Sequence, residues 1–333
     1  MANLLLTEKC VRACPYCFAK AIMDGSKPAD ILSWENLIYV ADFFESSNEK
    51  NISLLGGEPT LHPDFVDFVL YLLHRDFHVN IFTSGIVENS KLDIIGEYLS
   101  GSNPARLSIV CNVNEPKLSS EKETEKLHRF LSILGHLTTL GFNIFEQDFK
   151  LEFIFQLISQ YGLRKNLRIG LAHPIPLQSN KCLDVKDFNK MAERLLSYVP
   201  LFNEYKIAPG FDCGFPLCIF TDEQLGLLFK INKNGITFGC GPAIDIGPDM
   251  SVWPCFPLAD FHRKSIYDFN TVGEIGNFYR EIHDKVRNES AGIFEKCDEC
   301  QSRERGLCWG GCISRTISEF KKEPRVRPED VYL

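Results

Sequence analysis

Three cysteines, Cys10, Cys14 and Cys17, fall within eight residues, with three and then two residues between them. Three thiolates can hold a [4Fe–4S] cluster by three of its corners and leave one iron without a protein ligand. An iron short of one ligand is a place for a small molecule to bind directly, as the open position of a catalytic zinc is. The plainer alternatives are a disulfide with a spare thiol, or part of a zinc knuckle. A disulfide does not suit a reducing compartment, and zinc ordinarily recruits a fourth Cys or His nearby, which this segment lacks. Gly56-Gly57-Glu58-Pro59 follows roughly forty residues later. Paired glycines let backbone approach a ligand where a side chain would block it, although alone they describe an ordinary turn.

A second field of cysteines lies in the C-terminal half: Cys213, Cys218, Cys240, Cys255, Cys297, Cys300, Cys308 and Cys312. Eight thiolates are enough for two Cys₄ clusters. Cys297-x2-Cys300 with a later pair also suits a Cys₄ zinc site. Of the thirteen cysteines, Cys111 and Cys182 are left over.

Short apolar runs must position these groups. Ala2–Thr7 reads as a buried strand running into the first cysteine loop, and Ile52–Leu55 as a strand ending at the glycine pair. Further strands are expected at Val79–Thr83, Leu107–Val113, Asn143–Phe145 and Leu167–Ala172. Helical patterns separate them. Trp34, Leu37, Ile38, Ala41 and Phe44 share a face behind Ser33 as N-cap, and Phe65 to Leu73 follow Pro63. Longer helices are expected over Ser119–Leu140 and Lys150–Tyr161. Strands alternating with helices imply a parallel sheet with right-handed crossovers. Eight such units close a barrel, and six leave it partial and open. In such folds chemistry sits at the C-terminal strand ends, and both motifs lie there, as do Thr83-Ser84-Gly85 and Asn112 with Asn114. Alternation puts Ser108, Val110, Asn112 and Asn114 on one face of strand four and Cys111 on the other.

These segments carry a family resemblance. Cys-x3-Cys-x2-Cys with Tyr16 before its last cysteine resembles the signature of the radical S-adenosylmethionine (SAM) superfamily, and Gly56-Gly57-Glu58-Pro59 resembles its second motif. The resemblance implies an α/β partial (β/α)6 barrel. It implies that Cys10, Cys14 and Cys17 hold the cluster whose open iron SAM chelates, and that Gly56, Gly57 and Glu58 hold the methionine ammonium. Tyr16 belongs to the same cofactor site. Ser84 stands in a strand end similar to the family's Thr-Asn-Gly, while Asn112 and Asn114 occupy positions where Ser and Asp are usual near the ribose. The later cysteines resemble the SPASM/twitch extension, a smaller C-terminal domain with auxiliary clusters. By that likeness Cys240, Cys255 and Cys312 share one cluster and Cys297, Cys300 and Cys308 the other, with Cys213 and Cys218 completing them in an unassigned order. The match departs from the pattern at Met250, where a turn glycine is usual. Seven residues rather than five separate Cys300 from Cys308, and no cysteine follows Cys312.

The expected organisation is a barrel over 1–180, a bridge over 181–235 and an auxiliary iron–sulfur domain over 236–333, with a polar tail from Lys321. The bridge should hold helices at Asp184–Val199 and Thr221–Ile231. Its loop Pro209–Cys218 should present Phe211 and Phe215 as exposed anchors, or serve only as a cluster-ligand loop. The chain begins at the barrel, so no N-terminal peptide-recognition domain is expected. A chain of 333 residues with net charge −8 and no basic block does not suggest nucleic acid or an anionic membrane as partner. No apolar run approaches a membrane span, so a cytoplasmic protein is expected. Resemblance implies reductive SAM cleavage, with a 5′-deoxyadenosyl radical oxidising, cross-linking or epimerising a residue in a peptide or protein. A reductant such as flavodoxin or ferredoxin would serve it. Small-molecule dehydrogenation is the alternative, and a non-catalytic iron–sulfur or zinc protein a third. No side chain is assigned as catalytic acid or base.

Overall fold

The computed structural model describes residues 2–19, 23 and 30–319; the tail expected from Lys321 lies outside them. Strands β1 (Ala2–Thr7), β2 (Asn51–Gly56), β3 (His78–Thr83), β4 (Leu107–Asn112), β5 (Thr138–Ile144) and β6 (Asn166–Leu171) pair in parallel in chain order. Between them run α1 (Trp34–Ser46), α2 (Phe65–His74), α3 (Asn89–Leu99), α4 (Glu121–Leu134) and α5 (Glu152–Gln160). This is the open, parallel α/β architecture expected. Ser33 caps α1 by accepting from the Asn36 N–H, and Ser120 with Glu123 forms a capping box on α4.

Two expectations are corrected here. The fifth strand begins at Thr138, five residues before Asn143. The helix before it stops at Leu134 and a single turn over Gly135–Leu137 intervenes, since β-branched Thr138 and Thr139 favour extended backbone. The segment expected as a loop from Pro209 contains a seventh parallel strand, β7 (Ala208–Phe211), on β6. Pro209 and Gly210 are poor strand formers, but this strand closes one edge of the sheet, where proline is tolerated. After β6 come α6 (Phe188–Ser197) and α7 (Val199–Tyr205), and after β7 comes α8 (Asp222–Ile231), capped by Thr221.

A hairpin forms from β8 (Asp245–Ile246) and β9 (Ser251–Trp253), with β10 (Lys264–Ser265) beyond it. β8 pairs in parallel with β1, so the C-terminal segment extends the sheet at its other edge. Among the described residues the sheet has ten strands, in the order β10-β9-β8-β1-β2-β3-β4-β5-β6-β7. Met250, standing where a glycine is usual, takes φ +66° in the hairpin turn. Its side chain is buried, and that packing offsets the cost of a left-handed residue. Helices α9 (Val272–Glu289), α10 (Gln301–Glu304) and α11 (Ile313–Glu319) complete the described chain.

Alternation along the strands splits the core into two layers. Leu4, Leu54, Ile81, Ile109, Leu140 and Ile169 face the helices in one large apolar cluster. The opposite face lines the barrel in register rows. Asn3, Ser53, Asn80 and Ser108 form a polar row at the N-terminal end. Leu5, Leu55 and Phe82, with Trp253 and Phe256, form an apolar layer above it. Asn112, Gly141, Arg168 and Gly210 form a second polar row nearer the C-terminal rim. Cys111 faces the helices as expected and is fully buried.

Candidate functional site: a cysteine rim and two inner tetrads

The first cysteine loop leaves β1 at Thr7 and is fastened to the end of β2. The Gly57 N–H donates to the Thr7 carbonyl at 2.9 Å, and the Glu58 N–H to the Lys9 carbonyl at 2.8 Å. The glycines permit that approach. A Cβ on Gly56 would lie 2.2 Å from the Thr7 oxygen, and one on Gly57 would lie 2.1 Å from the Lys9 oxygen. The loop turns tightly, Cys17 N–H donating to the Cys14 carbonyl at 3.0 Å. Arg12 points away to Glu123 and Ser119 on the α4 side and pins the loop there. Burial pushes the Cys10 thiol up, against the Arg12 N–H that donates to its sulfur.

Tyr16 and Asn114 form a unit behind the loop. The Tyr16 hydroxyl donates to Asn114 Oδ1, the Asn114 amide donates to Cys14 Sγ at 3.6 Å, and the Tyr16 ring stacks on Phe145 at 4.9 Å. Burial pushes the Tyr16 phenol up, and the neighbouring Cys14 adds to it. Both residues stand at the rim, and in this state both are tied to the cysteine loop. Cys182, unassigned in the sequence, packs on the small cluster of Tyr16, Phe145 and Ala172, as Cys14 does.

Glu58, expected as an ammonium partner, sits at the junction of β2 and β3. It is fully buried, and its carboxylate is taken up by protein donors. Oε1 accepts from the Thr60 hydroxyl at 2.8 Å and the Thr83 hydroxyl at 2.7 Å; Oε2 accepts from the Ser84 N–H at 2.8 Å and its hydroxyl at 2.6 Å. A buried carboxylate needs such partners. Glu58 therefore ties the ends of β2 and β3 together, and Ser84 reaches the rim already bonded to it. On the next strand Asn112 lies flat over Gly141: a Cβ there would meet Asn112 Oδ1 at 2.3 Å, and this oxygen is buried without a partner among the described residues.

Deeper in the barrel is a group the motifs did not signal. The Arg168 guanidinium crosses to the Phe82 ring, 5.1 Å from its centroid, and donates to Asp212 just beyond β7. The signal was present in β6, where Arg168 and Gly170 alternate with Leu167, Ile169 and Leu171.

The later cysteines gather into two groups of four. Cys240 and Cys312 share a buried cluster with Cys255 packed on it, and Cys213 and Cys312 both donate to Cys240, holding that thiol well below its ordinary range. Cys218, Cys297, Cys300 and Cys308 line one cavity with Lys296 and Arg303, and the Leu217 N–H donates to Cys308 Sγ at 3.4 Å. Cys213 and Cys218 thus go to different groups, which the sequence left open. Among the described residues no three Cys, His, Asp or Glu side chains converge closely enough to hold a single ion.

Phe211 and Phe215 are not exposed anchors. Phe215 is fully buried and Phe211 nearly so. They stack at 4.5 Å, with Phe220 and Phe238 against Phe211. Rings of this size are more stable in the core than in water, and they serve to hold the Cys213–Cys218 loop in place.

Residues 4–109 match the family described as the Radical SAM superfamily. A stretch of 152 residues is 32% identical to the S-adenosylmethionine-dependent nucleotide dehydratase of Selenomonas ruminantium, covering 42% of this chain and 50% of that protein. Another, of 86 residues, is 39% identical to molybdenum cofactor biosynthesis protein 1 of Mus musculus, covering 25% and 14%. The matches thus span half or less of these relatives. Among solved structures, Streptococcus suis SuiB bound to S-adenosylmethionine superposes with a TM-score of 0.66 at 13% identity, over 99% of this chain and 77% of that one. The anSMEcpe enzyme with bound AdoMet gives 0.66 at 17%, over 95% and 87%. At such identities the likeness is one of fold.

Proposed function

We propose that this chain, which carries a radical SAM domain, binds SAM at the barrel rim and uses it to modify a residue in a peptide or protein. The observation that carries the reading is the fastening of the Cys10–Cys17 loop onto Gly56-Gly57, where any Cβ would collide with the Thr7 or Lys9 backbone. Cys10, Cys14 and Cys17 would hold the first [4Fe–4S] cluster, and the chain's other rim groups suit its ligand. When bound, that cluster supplies the electron for reductive cleavage of SAM, whose 5′-deoxyadenosyl radical then takes a hydrogen atom from the substrate.

The chain's residues bind and orient. Gly56 and Gly57 present backbone to the methionine end of SAM, and Glu58 acts through the strand ends it holds rather than by direct contact. Ser84, Asn112, Asn114 and Tyr16 lie on the same rim, and the unpartnered Asn112 oxygen is suited to accept from a ribose hydroxyl. Arg168 pairs with Asp212 on the inner face of the barrel. Cys213, Cys240, Cys255 and Cys312 would hold one auxiliary cluster, and Cys218, Cys297, Cys300 and Cys308 the other, as electron acceptors or substrate ligands. Segments 181–235 and 236–333 would be the bridge and the auxiliary-cluster domain. A flavodoxin or ferredoxin would reduce the protein in the cytoplasm; among the described residues no helix is long and apolar enough to cross a membrane.

Support for a peptide comes from the neighbouring folds, SuiB having also been solved with its precursor peptide SuiA, and from the open side of the barrel. A second reading, a small-molecule substrate, draws on the nucleotide dehydratase likeness and on the Arg168–Asp212 pair, a polar group on the inner face of the barrel. Incubating reduced, anaerobic protein with peptides encoded beside its gene tests the choice. A peptide lighter by two hydrogens, or epimerised at unchanged mass, supports the first reading. Oxidation of a small alcohol or amine with one 5′-deoxyadenosine per turnover, and no change in any peptide, replaces it with the second.

A further inference from the structure

Beside the Cys213, Cys240, Cys255 and Cys312 group stands a buried histidine, His283 on α9. His283 is 1% exposed, and neither ring nitrogen has a hydrogen-bond partner among the described residues. A neutral imidazole carries one N–H donor and one acceptor. Leaving both unpaired in the interior costs free energy, and an orphan of this kind in a native fold points to a partner such as an ion or redox group.

The helix fixes where the ring lies. His283, Val286 and Arg287 stand at i, i+3 and i+4 on α9 and share a face. Val286 packs in the buried cluster with Cys240 and Cys312, and the Arg287 guanidinium donates to the Cys240 carbonyl. The face bearing His283 is therefore turned to the tetrad. Burial holds the ring's pKa down to about 4, opposed by the nearby Cys240 sulfur. The other histidine here, His173, differs. Its Nε2 lies 3.3 Å from the Cys213 carbonyl, so its N–H is engaged there and Nδ1 is left as an acceptor. His283 is the one with an uncommitted donor.

We infer that His283 donates its N–H to sulfur of an iron–sulfur cluster held by Cys213, Cys240, Cys255 and Cys312, and thereby raises that cluster's reduction potential. The inference rests on the auxiliary-cluster reading proposed above. Reduction adds negative charge to the cluster, so a donor aimed at its sulfur stabilises the reduced form. The residues lining the Cys218, Cys297, Cys300 and Cys308 cavity include Lys296 and Arg303 and no histidine.

The test uses the full chain, reconstituted anaerobically, with iron and zinc counted first. In an EPR-monitored redox titration at fixed pH, His283→Phe should move the reduction equilibrium of one auxiliary cluster about tenfold toward the oxidised form, a fall of about 59 mV for a one-electron couple. His283→Gln keeps an N–H donor and should recover most of it. Independently of any variant, protein labelled with ¹⁵N-histidine should show a weak ¹⁵N coupling to a reduced auxiliary cluster in pulsed EPR. Unchanged potentials in both loaded variants, or no ¹⁵N coupling in the unsubstituted protein, overturns the inference. Zinc in the tetrads, with only about four irons per chain, overturns the auxiliary-cluster reading itself and the inference with it.

Discussion

Gly57→Ala is the sharpest perturbation of the rim, because it adds one methyl group and removes nothing. The new Cβ would lie 2.1 Å from the Lys9 carbonyl oxygen, 2.3 Å from its carbon and 2.8 Å from the Cys10 nitrogen. Non-bonded carbon contacts settle at roughly 3.5–4.0 Å, so the segment entering the cysteine loop must retreat by about 1 Å or more. All three obstructing atoms are backbone, so no side chain can swing aside. The retreat also strains the Glu58 N–H to Lys9 carbonyl bond of 2.8 Å. Overpacking of this kind costs about 1–3 kcal/mol of stability, which a large core tolerates. Displacing reactive groups by about 1 Å costs on the order of a hundredfold in rate. The expected outcome is a folded protein with its auxiliary irons intact, SAM cleavage slowed about a hundredfold and the first cluster depleted. Gly101→Ala, whose Cβ meets nothing within 4 Å, is the control. The assay pairs iron content with 5′-deoxyadenosine release under dithionite. A Gly57→Ala protein that matches wild type in both refutes the argument that this backbone approach positions the loop.

Three further outcomes follow from the same structure. Phe215→Ala should destabilise the protein by about 3–5 kcal/mol, read by chemical denaturation, because the ring is fully buried against Phe211; a change under 1 kcal/mol would restore the exposed-anchor reading. Cys213→Ala and Cys218→Ala should each remove about four irons and should perturb different EPR signals; loss of the same signal in both would dissolve the two-tetrad assignment. Burial raises the Asp245 carboxyl to about 7, even with Asn3 donating to it at 2.6 Å. The folded state keeps this proton at pH values where the unfolded chain has lost it, so stability present below pH 4 is lost as pH rises toward 7, by about 1.4 kcal/mol per unit. Asp245→Asn should therefore gain melting temperature relative to wild type as pH increases from 5 to 7.5, and a constant difference would contradict the sign.

Much of the frame could be read from β-alternation and strand-end motifs, because a parallel barrel repeats one local pattern. Leu4, Leu54 and Ile81 announce helix-facing positions, and Cys111 could be assigned to that face by parity alone. The seventh strand could not be read, since Pro209 and Gly210 contradict strand propensity and only the open edge of β6 makes them extended. The pairing of Cys213 with Cys240, and of Cys218 with Cys308, depends on how the bridge folds under the barrel, a long-range property that spacing does not carry. At Glu58 the sequence shows a carboxylate but not its protein partners, because Thr60, Thr83 and Ser84 are brought to it only by the packing of β2 against β3.

The central claim is that Cys10, Cys14 and Cys17 form the site of reductive SAM cleavage. Anaerobic protein, reduced with dithionite and given SAM, should release 5′-deoxyadenosine. The variant with all three cysteines changed to Ala should release none while retaining about eight auxiliary irons. Continued release of 5′-deoxyadenosine by that triple variant would contradict the account.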